Sequence, residues 1–460
     1  MTTRLLVVFC IVLAAPLHAY SQAERPPNII LLLGDDHGYP YFGFTGSEHV
    51  LTPNMDVLAN NGATFKLGHV TDNHCRPSLQ TLMTGYFPTQ YNELVSQYAA
   101  IEMERDEAYQ QGTPEQQQMW EQNFSYVAMN YFTTLPKLLA EQGYASFQGG
   151  KWWEQSYTNG GFTHGMSEGW DLNAPRGAGW FHEFMGGKGM ALARETMQPV
   201  YDFIDDHADQ PFYIWYGPSL PHTPLDPPYK YLKYYQNSDL AASAKLYYGN
   251  CTWWDAGVGD LVDYIEAAGL LENTLFVYVN DNGWEQPPFV DYTDDSDLIQ
   301  NGGTQGKLGL HDLSFRTPII LHWEGQITPQ TFADELVSTT DIVPTLLDYA
   351  GVAIPEELPG RSLKPLVEGR DFPSREALIG RITQTRSPTD AMGLRTEGYY
   401  YRDQRWHFMW WKTLERLELY DMVADPASTR NLAEQHPDLV ARFQDAIVAW
   451  DRDIRAAVAK

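Results

Sequence analysis

Short runs of consecutive apolar residues, each closed by glycine or by acidic turn residues, punctuate this chain. Asn28-Ile29-Ile30-Leu31-Leu32-Leu33 ends at Gly34, and Leu275-Phe276-Val277-Tyr278-Val279 ends in Asn280-Asp281-Asn282-Gly283. Runs without polar alternation read as strands buried on both faces, the habit of parallel sheets. Phe212-Tyr213-Ile214-Trp215-Tyr216 and Tyr144-Ala145-Ser146-Phe147 add two more. Helical segments fall between them: Pro53 to Asn61, Pro77 to Met83 with proline in the first turn, and Thr134 to Gln142 closed by Gly143. This alternation predicts an α/β fold. Toward the end, Arg395 to Trp411 is rich in aromatic residues with turn residues between, and Ala433 to Ala457 predicts one or two amphipathic helices.

In open α/β sheets, ligands collect beyond the carboxyl ends of the strands. Asp35-Asp36-His37-Gly38 follows the first strand, and Asp281-Asn282 follows the Leu275–Val279 run. Either turn alone reads as a solvated loop, since Asp, Asn and Gly favour turns for backbone reasons. Together they offer three carboxylates and an amide oxygen, a hard donor set that suits Ca²⁺ or Mg²⁺ rather than Zn²⁺. If they converge, their mutual repulsion requires a cation. Ca²⁺ ranks ahead of Mg²⁺, because its flexible shell accepts many protein oxygens.

Cys75-Arg76-Pro77-Ser78-Leu79 runs on through Leu82-Met83-Thr84-Gly85. This stretch resembles the C-x-P-S-R signature of type I sulfatases, members of the alkaline phosphatase superfamily whose cysteine is oxidised to formylglycine. The likeness extends over nearly the whole mature chain. Thr52-Pro53-Asn54-Met55-Asp56, Gly150-Lys151-Trp152, Pro221-His222-Thr223-Pro224, Gly306-Lys307, Arg316-Thr317-Pro318, Asp341-Ile342-Val343-Pro344 and Glu418-Leu419-Tyr420-Asp421 follow in the family's order. The resemblance implies a large mixed, mostly parallel sheet flanked by helices, with a smaller C-terminal part holding an antiparallel sheet and helix. The implied division is a catalytic unit at 24–370 and a C-terminal subdomain at 371–460. It implies metal ligation by Asp35, Asp36, Asp281, Asn282 and the modified Cys75, with Lys151, Lys307 and His222 acting on the sulfate and the leaving group. It implies two partners, a sulfated carbohydrate or other sulfate ester and a formylglycine-generating or other sulfatase-maturing enzyme.

Two positions depart from the pattern. Leu79 stands where the family has the arginine that braces formylglycine, and Trp153 where it has a histidine that serves as base. Leucine donates no hydrogen bond and tryptophan accepts no proton. His74, Arg76, His164 and His311 are the candidates to compensate. Two other readings remain beside the sulfatase one: a phosphoester or phosphonate hydrolase of the same superfamily, and a catalytically silent protein that binds sulfated glycan. A Cys75–Cys251 disulfide is the structural alternative to modification, and without it Cys251 is expected to be buried beside Trp253 and Trp254. Tyr91 to Asn130, polar and rich in Gln and Glu, is longer than the family's connection and reads as a helical insertion at the pocket rim or a solvated excursion.

Residues 1–23 carry Arg4, an apolar core from Leu5 to Ala15, and Ser21-Gln22-Ala23 before Glu24, which reads as a secretory signal. That core is too short to span a bilayer, and no other stretch of the mature chain is apolar enough. The expected location is periplasmic or secreted. A formal net charge of −28 disfavours nucleic acid and long polyanions, so an anionic substrate must be held by a local cationic pocket.

Overall fold

The computed structural model describes residues 25–172, 177, 179–284, 305–307, 309–382 and 397–459. The signal-like segment therefore lies outside the described residues. Eight strands form the main sheet: β1 (Asn28–Gly34), β2 (Ala63–His69), β3 (Ala145–Gly150), β4 (His164–Gly165), β5 (Phe212–Gly217), β6 (Thr274–Asn280), β7 (Arg316–Trp323) and β8 (Gln330–Ser338). Their order is β4-β3-β5-β1-β6-β7-β2-β8. The pairs β3–β4, β3–β5, β1–β5, β1–β6 and β2–β8 are parallel, and only β7 runs antiparallel to its neighbours β6 and β2.

The unbroken apolar runs are explained by what covers them. On β1, Ile29, Leu31 and Leu33 enter one core cluster, and Ile30 and Leu32 enter another on the opposite face. The same split holds on β6, with Leu275, Val277 and Val279 on one side and Phe276 and Tyr278 on the other. Alternate side chains of a strand point to opposite faces, so a strand with helices on both sides has no face left for polar residues. On one side lie Leu82 and Met83 of the helix Cys75–Thr84 and Leu346 and Leu347 of the helix Ile342–Ala350. On the other, the 26-residue helix Ala242–Ala267 contributes Trp254, Val258 and Leu261. The sequence reading had not singled out this long helix.

A second sheet is antiparallel, in the order β12-β11-β10-β9: β9 (Leu378–Ile382), β10 (Gly398–Arg402), β11 (Trp406–Trp411) and β12 (Arg416–Asp421). Tyr399, Tyr401 and Phe408 pack beneath Phe443 and Ile447 of the closing helix Pro437–Ala456, which is a single helix. Tyr400, Met409 and Trp411 face Leu310 and Phe315, just ahead of β7. The aromatic richness of this region thus serves both faces of a small sheet. The polar stretch after Thr84 is helical, with helices Pro88–Arg105, Glu107–Gln111 and Pro114–Val127.

The two sheets are tied by a buried ionic cluster. Asp312 accepts from Arg402 Nε of β10 at 2.8 Å and from His69 Nε2 of β2 at 2.9 Å, with Arg316 of β7 at 3.7 Å. Burial works against an ionised Asp312, but Arg402 and His69 outweigh it and hold the carboxyl well below its ordinary range. Asp312→Ala would leave Arg402 buried without its counter-ion and should cost about 3 to 5 kcal/mol in urea unfolding. Because the folded-state value is depressed, this contribution is present above the unfolded carboxylate value of about 4 and is lost as pH falls below it. Wild type should therefore lose more stability on acidification than Asp312→Ala.

Candidate active site and metal centre

Asp35 and Asp36 emerge at the carboxyl end of β1, Asp281 and Asn282 at that of the adjoining parallel β6, and the two turns are pinned together. Asp281 N donates to Gly34 O at 3.0 Å, and Asp36 N donates to the Asp281 carboxylate at 3.0 Å. Asp36 adopts a left-handed φ of 60°, a conformation that short polar side chains tolerate best. Tyr247, from the long helix, holds this turn by donating to Asp36 O at 2.7 Å and accepting from Gly38 N at 3.0 Å.

Cys75 occupies the first turn of the helix Cys75–Thr84, so its sulfur lies at the positive end of a helix dipole. The sulfur is 3.9 Å from Asp36 Oδ1. One ligand atom from each of Asp35, Asp36, Cys75 and Asp281 lies within 4.8 Å of the others, all four residues being buried. Cys75 and Cys251 are both free thiols, which removes the disulfide alternative. Cys251 is buried, in a cluster with Tyr247, Tyr248 and Trp284, while Trp253 and Trp254 of the same helix join the core against the sheet.

Two lysines lean on the carboxylates. Lys151 Nζ donates to Asp35 Oδ1 at 2.6 Å and lies 3.5 Å from the Cys75 sulfur. Lys307 Nζ contacts Asp36 Oδ1 and Oδ2 at 2.8 and 3.0 Å. Lys151 follows Gly150, whose φ of 94° and close approach to Gly217 O exclude a side chain there. Lys307 is fixed through its backbone N–H to Trp284 O at 2.8 Å. His222 Nε2 approaches Asp36 Oδ2 at 3.6 Å. Arg194 donates to Ser219 O, His222 O and Pro224 O, and Asn250 donates to Pro221 O, His222 O and Pro224 O, so two side chains hold the loop that carries this histidine.

Burial opposes ionisation of Asp36, yet Lys307, His222 and Lys151 overcome it and hold its carboxyl far below the ordinary range. Asp281 goes the other way, because burial and the charges of Asp35 and Asp36 push its carboxyl well up. Burial also raises the Cys75 thiol, against the pull of both lysines. The buried Asp281 Oδ2 and Asn282 Oδ1 have no hydrogen-bond partner among the described residues. Asn282 spends its amide N–H groups on Asp36 Oδ1 and Gly283 O, at 2.6 and 2.7 Å, which leaves its oxygen unengaged. A divalent cation fits this cradle: hard oxygens converge, two of them orphaned, and their charge exceeds what the lysines cancel.

The departures have clear surroundings. Leu79, one turn after Cys75, lies against Asp35, Lys151 and Asp281 and belongs to the main core. Arg76 does not take the place of the missing arginine; its guanidinium is bound to the Glu154 carboxylate at 2.8 and 3.0 Å and to Ser125 O at 2.7 Å. Trp153 is buried and donates to Met185 Sδ at 3.2 Å, with Lys151 Nζ 4.6 Å from its ring centre. His74 lies beside that ring, at 6.1 Å between centroids. Burial and the two lysines lower His74 to about 4. His164 packs instead on Phe203 and His207 at the sheet edge, and His311 near Tyr420.

Sequence reasoning missed Ser219, which donates to Asp35 Oδ2 at 3.1 Å, along with Tyr247, Arg194 and Asn250. Ser219 stands three residues before His222 on the same strand-end loop, a proximity that could have flagged it.

Comparison with known proteins agrees with this geometry. The family model described as Sulfatase matches residues 27–352, and that of the N-sulphoglucosamine sulphohydrolase C-terminal region matches residues 303–451. The chain is 25% identical to human arylsulfatase A, over 90% of this chain and 81% of that protein. It is 23% identical to an N-acetylgalactosamine-6-O-sulfatase of Bacteroides thetaiotaomicron, over 93% of each. Among solved structures, Ps i-CgsB in complex with k-i-k-neocarrahexaose superposes with a TM-score of 0.68 at 22% identity, covering 93% of each chain. A structure in complex with its substrate D-glucosamine-2-N,6-O-disulfate gives 0.66 at 19%, covering 95% of this chain and 98% of that one.

A cation held in this cradle is predicted to bind with a pH dependence set by the raised Asp281. Its raised folded-state value means that, without a cation, stability falls as pH rises above the ordinary carboxylate range of about 4, because ionising it costs energy in the buried cluster. Ca²⁺ should therefore raise Tm by an increment that grows with pH, measured against a chelator control. In Asp281→Ala the increment and stoichiometric Ca²⁺ binding in calorimetry should both disappear; an unchanged increment would place the ion elsewhere.

Proposed function

Because the chain belongs to the sulfatase family of sulfuric ester hydrolases, we propose that it is an exported, periplasmic or secreted enzyme that removes sulfate from a sulfated carbohydrate, using a formylglycine made from Cys75 and a bound Ca²⁺. The observation that carries the reading is the convergence of Cys75, three carboxylates, Asn282 and two lysines in one buried cluster beyond the ends of β1 and β6. The names of the similar proteins point to amino-sugar and galactan sulfates as the substrate class. A maturing enzyme is then the obligatory partner.

A hydrated formylglycine at position 75 supplies a geminal diol as nucleophile, and Ca²⁺ supplies Lewis acidity toward sulfate oxygens. The chain's own residues do the rest. Lys151 and Lys307 donate to the sulfate oxygens, exchanging contacts with Asp35 and Asp36 for contacts with substrate. The helix N-terminus beneath Cys75 adds a fixed positive potential for the same anion. His222 Nε2 donates toward the bridging oxygen and gives a proton to the leaving alcohol. Ser219 and Asn282 fix Asp35 and Asp36 as ligands, and Tyr247 fixes the turn that carries Asp36. Trp153, backed by Met185 and Lys151, keeps water from the rear of the site.

Peptide mass spectrometry of the mature protein tests the modification, and formylglycine at position 75 is the expected product. Turnover on matched sulfate and phosphate esters separates sulfatase from phosphatase action, with the sulfate preferred. The carbohydrate panel consists of glucosamine and galactosamine sulfates and carrageenan oligosaccharides. Lys307→Ala should lower kcat/KM by about 30- to 900-fold, the equivalent of losing one preorganised charge donor worth roughly 2 to 4 kcal/mol. Unchanged kcat/KM would put Lys307 outside the reaction.

A further inference from the structure

A cavity of about 530 Å³ lies beside the carboxylate cluster rather than over it. Arg76 and Gln80, on the outer face of the Cys75–Thr84 helix, form one wall. Tyr91, Gln122 and Tyr126 of the helices that follow form another, and Arg381 of β9 closes a side. The helices Pro88–Arg105 and Pro114–Val127 therefore supply about half of its lining.

The cavity and the active site share a wall one side chain thick. His74 and Phe184 both line the cavity, and each lies 6.1 Å from the Trp153 ring. Lys151 Nζ is 4.6 Å from the centre of that same ring. The cavity thus begins one side chain away from position 75, across His74 and the Trp153 ring.

The cavity's cationic groups are already matched by carboxylates, which suits an uncharged sugar. Both guanidiniums that reach it are already paired, Arg76 with Glu154 at 2.8 Å and Arg381 with Glu397 at 2.9 Å. Burial pushes the Asp72 carboxyl, also in the lining, up to about 8. What remains is amides, aromatic faces and one waiting donor: the Tyr91 hydroxyl, whose residue is 3% exposed, has no hydrogen-bond partner among the described residues. Sugar hydroxyls match the amides and the phenol, and the C–H face of a pyranose matches Tyr126 and Phe184. The volume falls within the range of small-ligand pockets, roughly 300 to 1,000 Å³.

We propose that this cavity, built by the helices Pro88–Arg105 and Pro114–Val127, is a subsite for an unsulfated sugar ring next to the sulfated one, which makes the protein selective for oligosaccharides over sulfated monosaccharides. The inference rests on the carbohydrate-sulfatase reading above and adds to it the length and charge of the substrate.

The test compares galactosamine 6-sulfate as a free sugar with the same sugar in a disaccharide, and adds the desulfated disaccharide as a binding probe. Tyr91→Phe removes the buried hydroxyl and keeps the ring that stacks on Phe132 at 4.4 Å. Asn92→Trp fills the cavity from its exposed rim. The preference of kcat/KM for disaccharide over monosaccharide should fall about 3- to 10-fold in Tyr91→Phe, the scale of one net hydrogen bond, and at least as far in Asn92→Trp. Desulfated disaccharide should bind the wild type in calorimetry and fail to bind Asn92→Trp. Turnover of sulfate esters with a preference that neither variant alters overturns the subsite and leaves the sulfatase reading standing. Absence of all sulfate-ester turnover in the matured wild type overturns that reading instead; desulfated disaccharide that still binds, and is lost in Asn92→Trp, would then sustain the subsite alone, while no binding would end both.

Discussion

Three buried carboxylates within a few ångströms of one another are the constraint around which this molecule is organised. Each would repel the others strongly in a medium less polarisable than water. Lys151 and Lys307 answer part of that repulsion directly, by seating their ammonium groups on Asp35 and Asp36. The remainder appears as a raised Asp281, whose Oδ2 has no hydrogen-bond partner among the described residues. The same imbalance that makes the cluster costly is what a hard cation would relieve.

The fold meets this cost by rigidity. β1 and β6 are adjacent, parallel and covered on both faces, so the two acidic turns have little freedom to separate. Tyr247 clamps Asp36 through its backbone, Ser219 holds Asp35, and Arg194 with Asn250 fasten the His222 loop. These contacts come from elements far apart in sequence. Each of these four holds a residue of the carboxylate cluster or the loop that carries His222.

Leu79 and Trp153 fit the same picture. With leucine beneath Cys75, the space beside Asp35 and Lys151 is apolar and joins the main core. With tryptophan two residues after Lys151, an indole closes the rear of the site and connects through His74 and Phe184 to the neighbouring cavity. Arg76 instead joins Glu154 and the helix Pro114–Val127, through Ser125 O.

Strands β1, β3, β5 and β6 were legible in the sequence because burial on both faces admits only one composition and turn chemistry marks where such a run must stop, whereas β2, β4, β7 and β8 were not read from it. The motif order around Asp35, Cys75, Lys151 and Asp281 was legible for a related reason: each lies at a strand end or helix start with its own local signature. What the sequence left open was decided by packing between distant segments. Whether residues 91–130 are a solvated excursion or a wall of the site depends on how their helices meet the Cys75–Thr84 helix and β9, and local periodicity carries no record of that contact. Which side chain would serve in place of the absent arginine could not be read either, since Arg76 and Leu79 stand on the same helix and only the location of Glu154, brought in from after β3, turns Arg76 away. The chain determines locally which groups are available; the tertiary structure determines which of them face one another, because electrostatic and hydrogen-bond partners are selected by distance in space rather than along the sequence.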